Sequence, residues 1–263
     1  MPILNINNAE IYYELQGSGQ PLVLISGIMG DHTVWEPIVD ELVKDYQVLI
    51  FDNRGVGQTK DDGQDFTVET MADDVFAICE TLNFKHPHVV GSSFGGMVAQ
   101  MLAKKHGKYI KTLTLSNTFP KVNSSSSILF SYISKLHELC DPPSSIYNAV
   151  IPWVFSDKFL TPEVIDTIRT LSDTHPYPQS KEDYIRQLNA MSAFDSSDWV
   201  SSISIPTLVL GSEQDRVAPP EESIRLAKLI PAAELSILPG GHVSQMEHQS
   251  FFVELLRKFH KII

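Results

Sequence analysis

Short aliphatic runs alternate with stretches of helical periodicity along most of the chain. Leu22-Val23-Leu24-Ile25, Val48-Leu49-Ile50-Phe51, His88-Val89-Val90, Thr112-Leu113-Thr114-Leu115 and Thr207-Leu208-Val209-Leu210 are strand-like runs, apolar enough to be buried on both faces between layers of helices. Ahead of them, Leu4-Asn5-Ile6 and Ala9-Glu10-Ile11-Tyr12-Tyr13-Glu14-Leu15 alternate about Asn7-Asn8, which predicts an antiparallel hairpin at a sheet edge. Residues 35–43, 71–82, 97–106 and 224–230 carry apolar positions three and four apart, the stripe of a helix laid on a sheet. A last helix over 247–263 puts Phe251, Phe252, Leu255, Leu256, Phe259 and Ile263 on one stripe; its other face mixes acids and bases, so it packs on a core rather than on a membrane. With the strand-like Leu235-Ser236-Ile237-Leu238, the pattern predicts an α/β fold: a mostly parallel, eight-stranded, doubly wound sheet.

The alternation breaks after Asn117. Residues 119–199 show the Ser124 to Ser127 run, the turn Asp141-Pro142-Pro143 and His175-Pro176-Tyr177-Pro178, with helical patterns between them and no convincing strand. This segment is expected to be a helical cap inserted into a core of residues 1–118 and 200–263. Its apolar material includes Tyr132, Trp153, Phe155, Phe159, Met191, Phe194 and Trp199.

Composition narrows the partners. The 263 residues are 43% hydrophobic and 20% charged, ordinary for a globular protein, but the formal net charge is −12. Nucleic acid and anionic lipid surfaces both demand a basic face, so neither is an expected partner. The start Met1-Pro2-Ile3-Leu4-Asn5 has no leader pattern and no run is long enough to span a bilayer, which suggests a cytoplasmic protein. Cys79 and Cys140 are too few for a disulfide framework or zinc site and are expected to be reduced packing residues.

The chemistry is concentrated in three loops. After the strand ending at Val90 comes Gly91-Ser92-Ser93-Phe94-Gly95-Gly96 and then a helix, which is G-x-S-x-G in its strand–turn–helix setting, with Ser93 as candidate nucleophile. A serine hydroxyl needs a base, and of nine histidines only His242, after a strand and the turn Pro239-Gly240-Gly241, is suitably placed. His86 and His88 form an H-x-H, but at the wrong end of their strand. The imidazole in turn needs a carboxylate. Asp215 is preferred over Glu213 in the loop after Leu210, and the position one strand earlier, Ser116-Asn117-Thr118, offers none. The oxyanion donors expected are the backbone N–H groups of Phe94 and Ile28, the latter in the loop Ser26-Gly27-Ile28-Met29-Gly30. No metal or other cofactor is called for.

These motifs, with the D-x-R-G-x-G-like turn Asp52-Asn53-Arg54-Gly55-Val56-Gly57, resemble the α/β-hydrolase superfamily over essentially the whole chain. Within it the chain looks most like the aminoacrylate hydrolases and 3-oxoadipate enol-lactonases. Shared-looking features are Leu24-Ile25-Ser26-Gly27, Asp45-Tyr46-Gln47-Val48 and Arg186-Gln187-Leu188-Asn189-Ala190; Ser26 stands where most relatives have histidine. The resemblance implies a serine hydrolase acting on a small ester, lactone or related acyl or imine substrate. A slowly hydrolysing ligand receptor, a carbon–carbon hydrolase or a cofactor-free peroxidase could use the same residues. A small molecule is the expected partner, of a monomer or homodimer. Met29, Trp153, Phe155, Arg186, Met191 and Val243 are the candidate pocket residues; Arg186 would either anchor a substrate carboxylate or, as arginines in such places more often do, form a salt bridge. A closed apolar pocket under the cap should favour acyl chains of about C2 to C6.

Overall fold

The computed structural model describes residues 2–139 and 144–262; Cys140, the turn Asp141-Pro142-Pro143 and the last stripe position, Ile263, lie outside the described residues. The hairpin forms from β1 (Ile3–Ile6) and β2 (Ala9–Gly17), with Asn7 and Asn8 both at positive φ, as a tight turn matched to strand twist requires. Then follow β3 (Gln20–Ile25), α1 (Glu36–Leu42), β4 (Tyr46–Phe51), a two-residue β5 (Lys60–Asp61) and α2 (Val68–Thr81). Next come β6 (His88–Ser92), α3 (Phe94–His106) and β7 (Thr112–Ser116). The chain returns to the sheet with β8 (Thr207–Ser212), α8 (Pro220–Leu229) and β9 (Ala233–Leu238), and ends in α9 (Ser244–Glu247) and α10 (Gln249–Ile262) if the helices between β7 and β8 are set aside for the moment. Helix α2 starts earlier than its apolar stripe because Thr67 and Thr70 cap each other's backbone N–H groups. The predicted last helix is broken at His248.

Eight strands run in the order β1-β2-β4-β3-β6-β7-β8-β9, and β5, which the sequence pattern did not reveal, pairs with β2. The pairings of β1 with β2 and of β2 with β4 are antiparallel; those from β4 through β9 are parallel. Alternation along β3 explains why both faces are apolar: Leu22 and Leu24 join α1 and α10 in one core, while Val23 and Ile25 join α2 and α3 in the other. Because β3 pairs with β4 on one side and β6 on the other, the strand order reverses there. The crevice at such a reversal, beyond the carboxyl ends of the strands, is where open α/β sheets place their sites.

Between β7 and β8 the described chain contains four helices: α4 (Ser124–Leu139), α5 (Ser144–Val154), α6 (Pro162–Asp173) and α7 (Lys181–Ala193). One isolated bridge, Lys121 to Asp195, ties the two ends of this segment together.

At the amino-terminal end of β6, His88 is buried and stacks on His260 of α10 at 3.8 Å between ring centroids; His88 Nδ1 lies 2.7 Å from Thr112 Oγ1 and His260 Nδ1 lies 3.0 Å from the Tyr46 hydroxyl. Burial, then the Lys111 charge, pushes His88 down to about 4; burial, then His88 and Lys111, pushes His260 down to about 3. Both rings are therefore neutral in the folded protein, while in the unfolded chain they accept protons near pH 6.5. Stability is expected to be complete above pH 6.5 and to fall as pH drops toward 4, by up to about 1.4 kcal/mol per pH unit for each proton. Urea unfolding at a series of pH values should show this slope, and His260→Phe should flatten it.

Candidate active site

A single residue, Ser93, separates the end of β6 from the start of α3. Ser93 has φ 55° and ψ −121°, a sparsely populated conformation. Its N–H donates to Ser116 O at 2.9 Å, and its carbonyl accepts from Thr118 Oγ1 at 2.7 Å. Helix α3 lies so close to β3 that a Cβ on Gly95 would sit 2.2 Å from the Ile25 carbonyl oxygen. Only glycine allows this approach.

Ser93 Oγ is 2.8 Å from His242 Nε2, and His242 Nδ1 is 2.8 Å from Asp215 Oδ2; all three residues are buried. The other oxygen of Asp215, Oδ1, accepts the N–H groups of Val217 and Ala218, both at 2.8 Å. Glu213, the rival carboxylate, is exposed. Asn117 occupies the position one strand earlier, where sequence reasoning found no acid. Its amide donates 2.9 Å bonds to Asp215 Oδ2 and Ser212 Oγ and so fixes the carboxylate from β7. The His242 loop is held from two sides. His242 N–H donates to Val154 O at 2.7 Å, and Glu247 Oε1 accepts the N–H groups of Gly241 and Ser156, both at 3.0 Å.

The loop after β3 lies against the serine, and a Cβ on Gly27 would be 3.1 Å from Ser93 Cβ. Gly30 N–H donates to Gly27 O at 3.3 Å, closing a turn whose third residue, Met29, has φ 65°. This left-handed residue is held by Gln187 of α7, whose Oε1 accepts Met29 N–H at 3.2 Å while its Nε2 donates to Arg54 O at 2.8 Å. Gln187 is fully buried; it belongs to the run Arg186 to Ala190 that carries part of the resemblance, but nothing in that run points to this role. Ser26 donates its hydroxyl to Asp31 O at 3.0 Å. Phe94 opens α3, where N–H groups lack intrahelical partners; its side chain is buried in the core.

Above these groups is a cavity of about 1040 Å³ between the sheet and α4–α6. Of the predicted pocket residues, Met29, Phe155 and Val243 line it, beside Ser93, His242 and the expected oxyanion residue Ile28. Three do not. Trp153 is 37% exposed and does not line the cavity, and Met191 is packed into the core. Arg186 points away, to Asp61 at 2.9 Å, Gln64 O at 2.7 Å and its neighbour Asp183, so it forms the salt bridge and anchors nothing in the cavity. The cavity wall also contains His32, His175 and Tyr147, which sequence reasoning did not place there. His32 Nδ1 is 2.7 Å from Asp52 Oδ1; burial opposes its charge, but the hydrogen bond and charge of Asp52, with Asp31 and Glu14, raise its pKa above the usual value.

Among the described residues Asp31, His32 and Asp52 bring ligand-type atoms within 4.8 Å of one another, a spacing the sequence did not suggest. Hydrogen bonds already occupy them: Asp52 holds His32, and Asp31 holds Thr33 and His175.

A family model described as the alpha/beta hydrolase fold matches residues 20–138 and 153–249. The chain is 29% identical over 264 residues to a protein of Rhizobium rhizogenes named as a carbamate hydrolase, RutD, with 94% of this chain and 97% of that one covered. It is 27% identical over 253 residues to 3-oxoadipate enol-lactonase 1 of Acinetobacter baylyi, covering 92% and 90%. The crystal structure of the enol-lactonase from Burkholderia xenovorans superposes with a TM-score of 0.89 at 26% identity, covering 99% of this chain and 100% of that one.

Replacing Gln187 by leucine keeps the bulk but orphans Met29 N–H and Arg54 O. The expected loss of stability is about 1–3 kcal/mol per unpaired group, read as a fall in the urea midpoint.

Proposed function

The chain belongs to the α/β-hydrolase family, and from that premise we propose that it is a serine hydrolase of a small ester or lactone, with Ser93 as nucleophile, His242 as base and Asp215 as the orienting acid. One observation carries the reading: the unbroken hydrogen-bonded line from Ser93 Oγ through His242 to Asp215, opening onto a cavity of substrate size. Relatives named as a carbamate hydrolase and an enol-lactonase support hydrolysis as the reaction class.

In the proposed mechanism Ser93 Oγ attacks the substrate carbonyl while His242 Nε2 takes its proton. Asp215 keeps the proton of the imidazole on Nδ1, so that Nε2 is the free acceptor, and it stabilises the imidazolium as it forms. The oxyanion is received by Phe94 N–H at the head of α3 and by Ile28 N–H, each donor contributing roughly 3 kcal/mol in comparable sites. His242 then protonates the leaving group, and a water activated by the same imidazole releases the acid from Ser93. The segment 119–199 acts as a cap over the core of 1–118 and 200–263. No helix among the described residues is long and apolar enough to cross a membrane.

Ser93→Ala and His242→Ala should each lower kcat on p-nitrophenyl butyrate by several orders of magnitude, and the double variant should be little worse than either, because the two act as one proton-transfer unit. Asp215→Asn should cost up to roughly 10⁴ in kcat through the wrong tautomer, with Glu213→Gln near wild type. The reverse ranking of the two acid variants would move the orienting role to Glu213.

A further inference from the structure

The wall of the cavity is poor in cations. Among the described residues no lysine or arginine lines it, whereas Asp31 and Glu36 do. Its histidines supply no free cation either. His175 Nε2 is 3.0 Å from Asp31 Oδ2, His32 is enclosed by Asp52, Asp31 and Glu14, and His242 is bound to Asp215. His137 is held toward its neutral form by burial, with Lys181 adding to the effect. The orientation of the Gln179 amide is fixed, because its Nε2 donates to Gly55 O at 2.8 Å and to Gln187 Oε1 at 3.1 Å. Its Oε1, buried in the same wall, is therefore an acceptor without a partner. A carboxylate brought here would lose its water with no free cation to replace it, and would lie in the same wall as Asp31 and the unpartnered Gln179 Oε1.

Away from Ser93 the wall is aliphatic, with Leu129, Ile133, Ile146, Val150 and Ile168 contributed by α4, α5 and α6. A volume of about 1040 Å³, shared between the acyl and leaving groups, has room for acyl groups longer than C6, since a methylene takes about the 30 Å³ of a water in the liquid. The range of C2 to C6 expected from the sequence rests on the presence of a cap alone. The cavity beneath it extends the range upward.

We propose that this site selects esters whose acyl group is uncharged and apolar, of about six to ten carbons, and that it excludes acyl groups ending in a carboxylate. The proposal rests on the serine-hydrolase reading above. It separates this chain from a relative named for a derivative of 3-oxoadipate, a dicarboxylate.

The test compares p-nitrophenyl hexanoate with mono-p-nitrophenyl adipate, which share a six-carbon acyl chain and differ in its end, a methyl against a carboxylate. Acetate, butyrate, octanoate and decanoate esters are run beside them, with Ser93→Ala as the control. The expected result is kcat/KM at least roughly 100-fold higher for hexanoate than for adipate, and a maximum between hexanoate and decanoate. Ile168→Lys, which puts a cation on a half-buried position of the wall, should shift the hexanoate-to-adipate ratio toward adipate by at least about tenfold. Adipate turned over as well as hexanoate, or a maximum at acetate, with both activities lost in Ser93→Ala, would overturn the selectivity and leave the hydrolase reading standing. No turnover of any ester that depends on Ser93 would remove the hydrolase reading itself.

Discussion

At the end of β6 the backbone reverses through Ser93 at φ 55°, and α3 leaves so close to β3 that Gly95 faces the Ile25 carbonyl with no room for a Cβ. The other parts of the site take their places from this approach. It puts the head of α3, with its unpaired N–H groups, beside the loop that follows β3, and it presses Gly27 against Ser93. A serine in that conformation costs of order 1–3 kcal/mol, and it is retained because the surroundings over-determine it. Ser116 O fixes its N–H, Thr118 fixes its carbonyl, and strands buried on both faces leave the sheet nowhere to relax.

What the sequence made legible is what depends on near neighbours. Apolar runs buried on both faces, the Asn7-Asn8 turn and the glycine-rich turn at Ser93 all declare themselves within ten residues. Asp215 and His242 could be found because each follows a strand of the same sheet, so order along the chain translates into place. The failures have a common cause. Aromatic composition says that residues 119–199 hold apolar material, but of Trp153 and Phe155, two residues apart, one is 37% exposed and the other buried, and only Phe155 reaches the cavity. Arg186 and Gln187 are adjacent, yet successive positions on a helix point about 100° apart. The charged residue that drew notice turns toward Asp61, and the neutral one holds the loop of Met29.

Asn117, Gln187 and Glu247 were unreadable for the same reason. Each is a polar residue whose partners lie far along the chain, 98 residues for Asn117 with Asp215, 158 for Gln187 with Met29 and 91 for Glu247 with Ser156. Their importance is set by burial. An amide or carboxylate at the surface exchanges partners with water at little cost, whereas a buried one that loses its partner forfeits the full desolvation penalty of about 1–3 kcal/mol. The polar groups that orient the serine, imidazole and carboxylate are therefore among the most constrained in the molecule, although they belong to no motif.

Two of these contacts reach the site from the helices between β7 and β8. Gln187 of α7 holds the loop after β3, and the end of α5 receives the His242 backbone through Val154 O and shares Glu247 through Ser156. A rigid outward swing of this segment would break several buried hydrogen bonds at once and release both Met29 and the imidazole loop. Opening the roof and dismantling the site are thus the same event, so access by that route costs several times the penalty of a single orphaned bond. The cavity has another way to solvent. Leu171 and Tyr177, 62% and 43% exposed, belong to its wall, as does the exposed Glu36, so it meets water between α6, the 175–178 segment and the start of α1. Entry by this route would leave the hydrogen bonds around Ser93 and His242 intact.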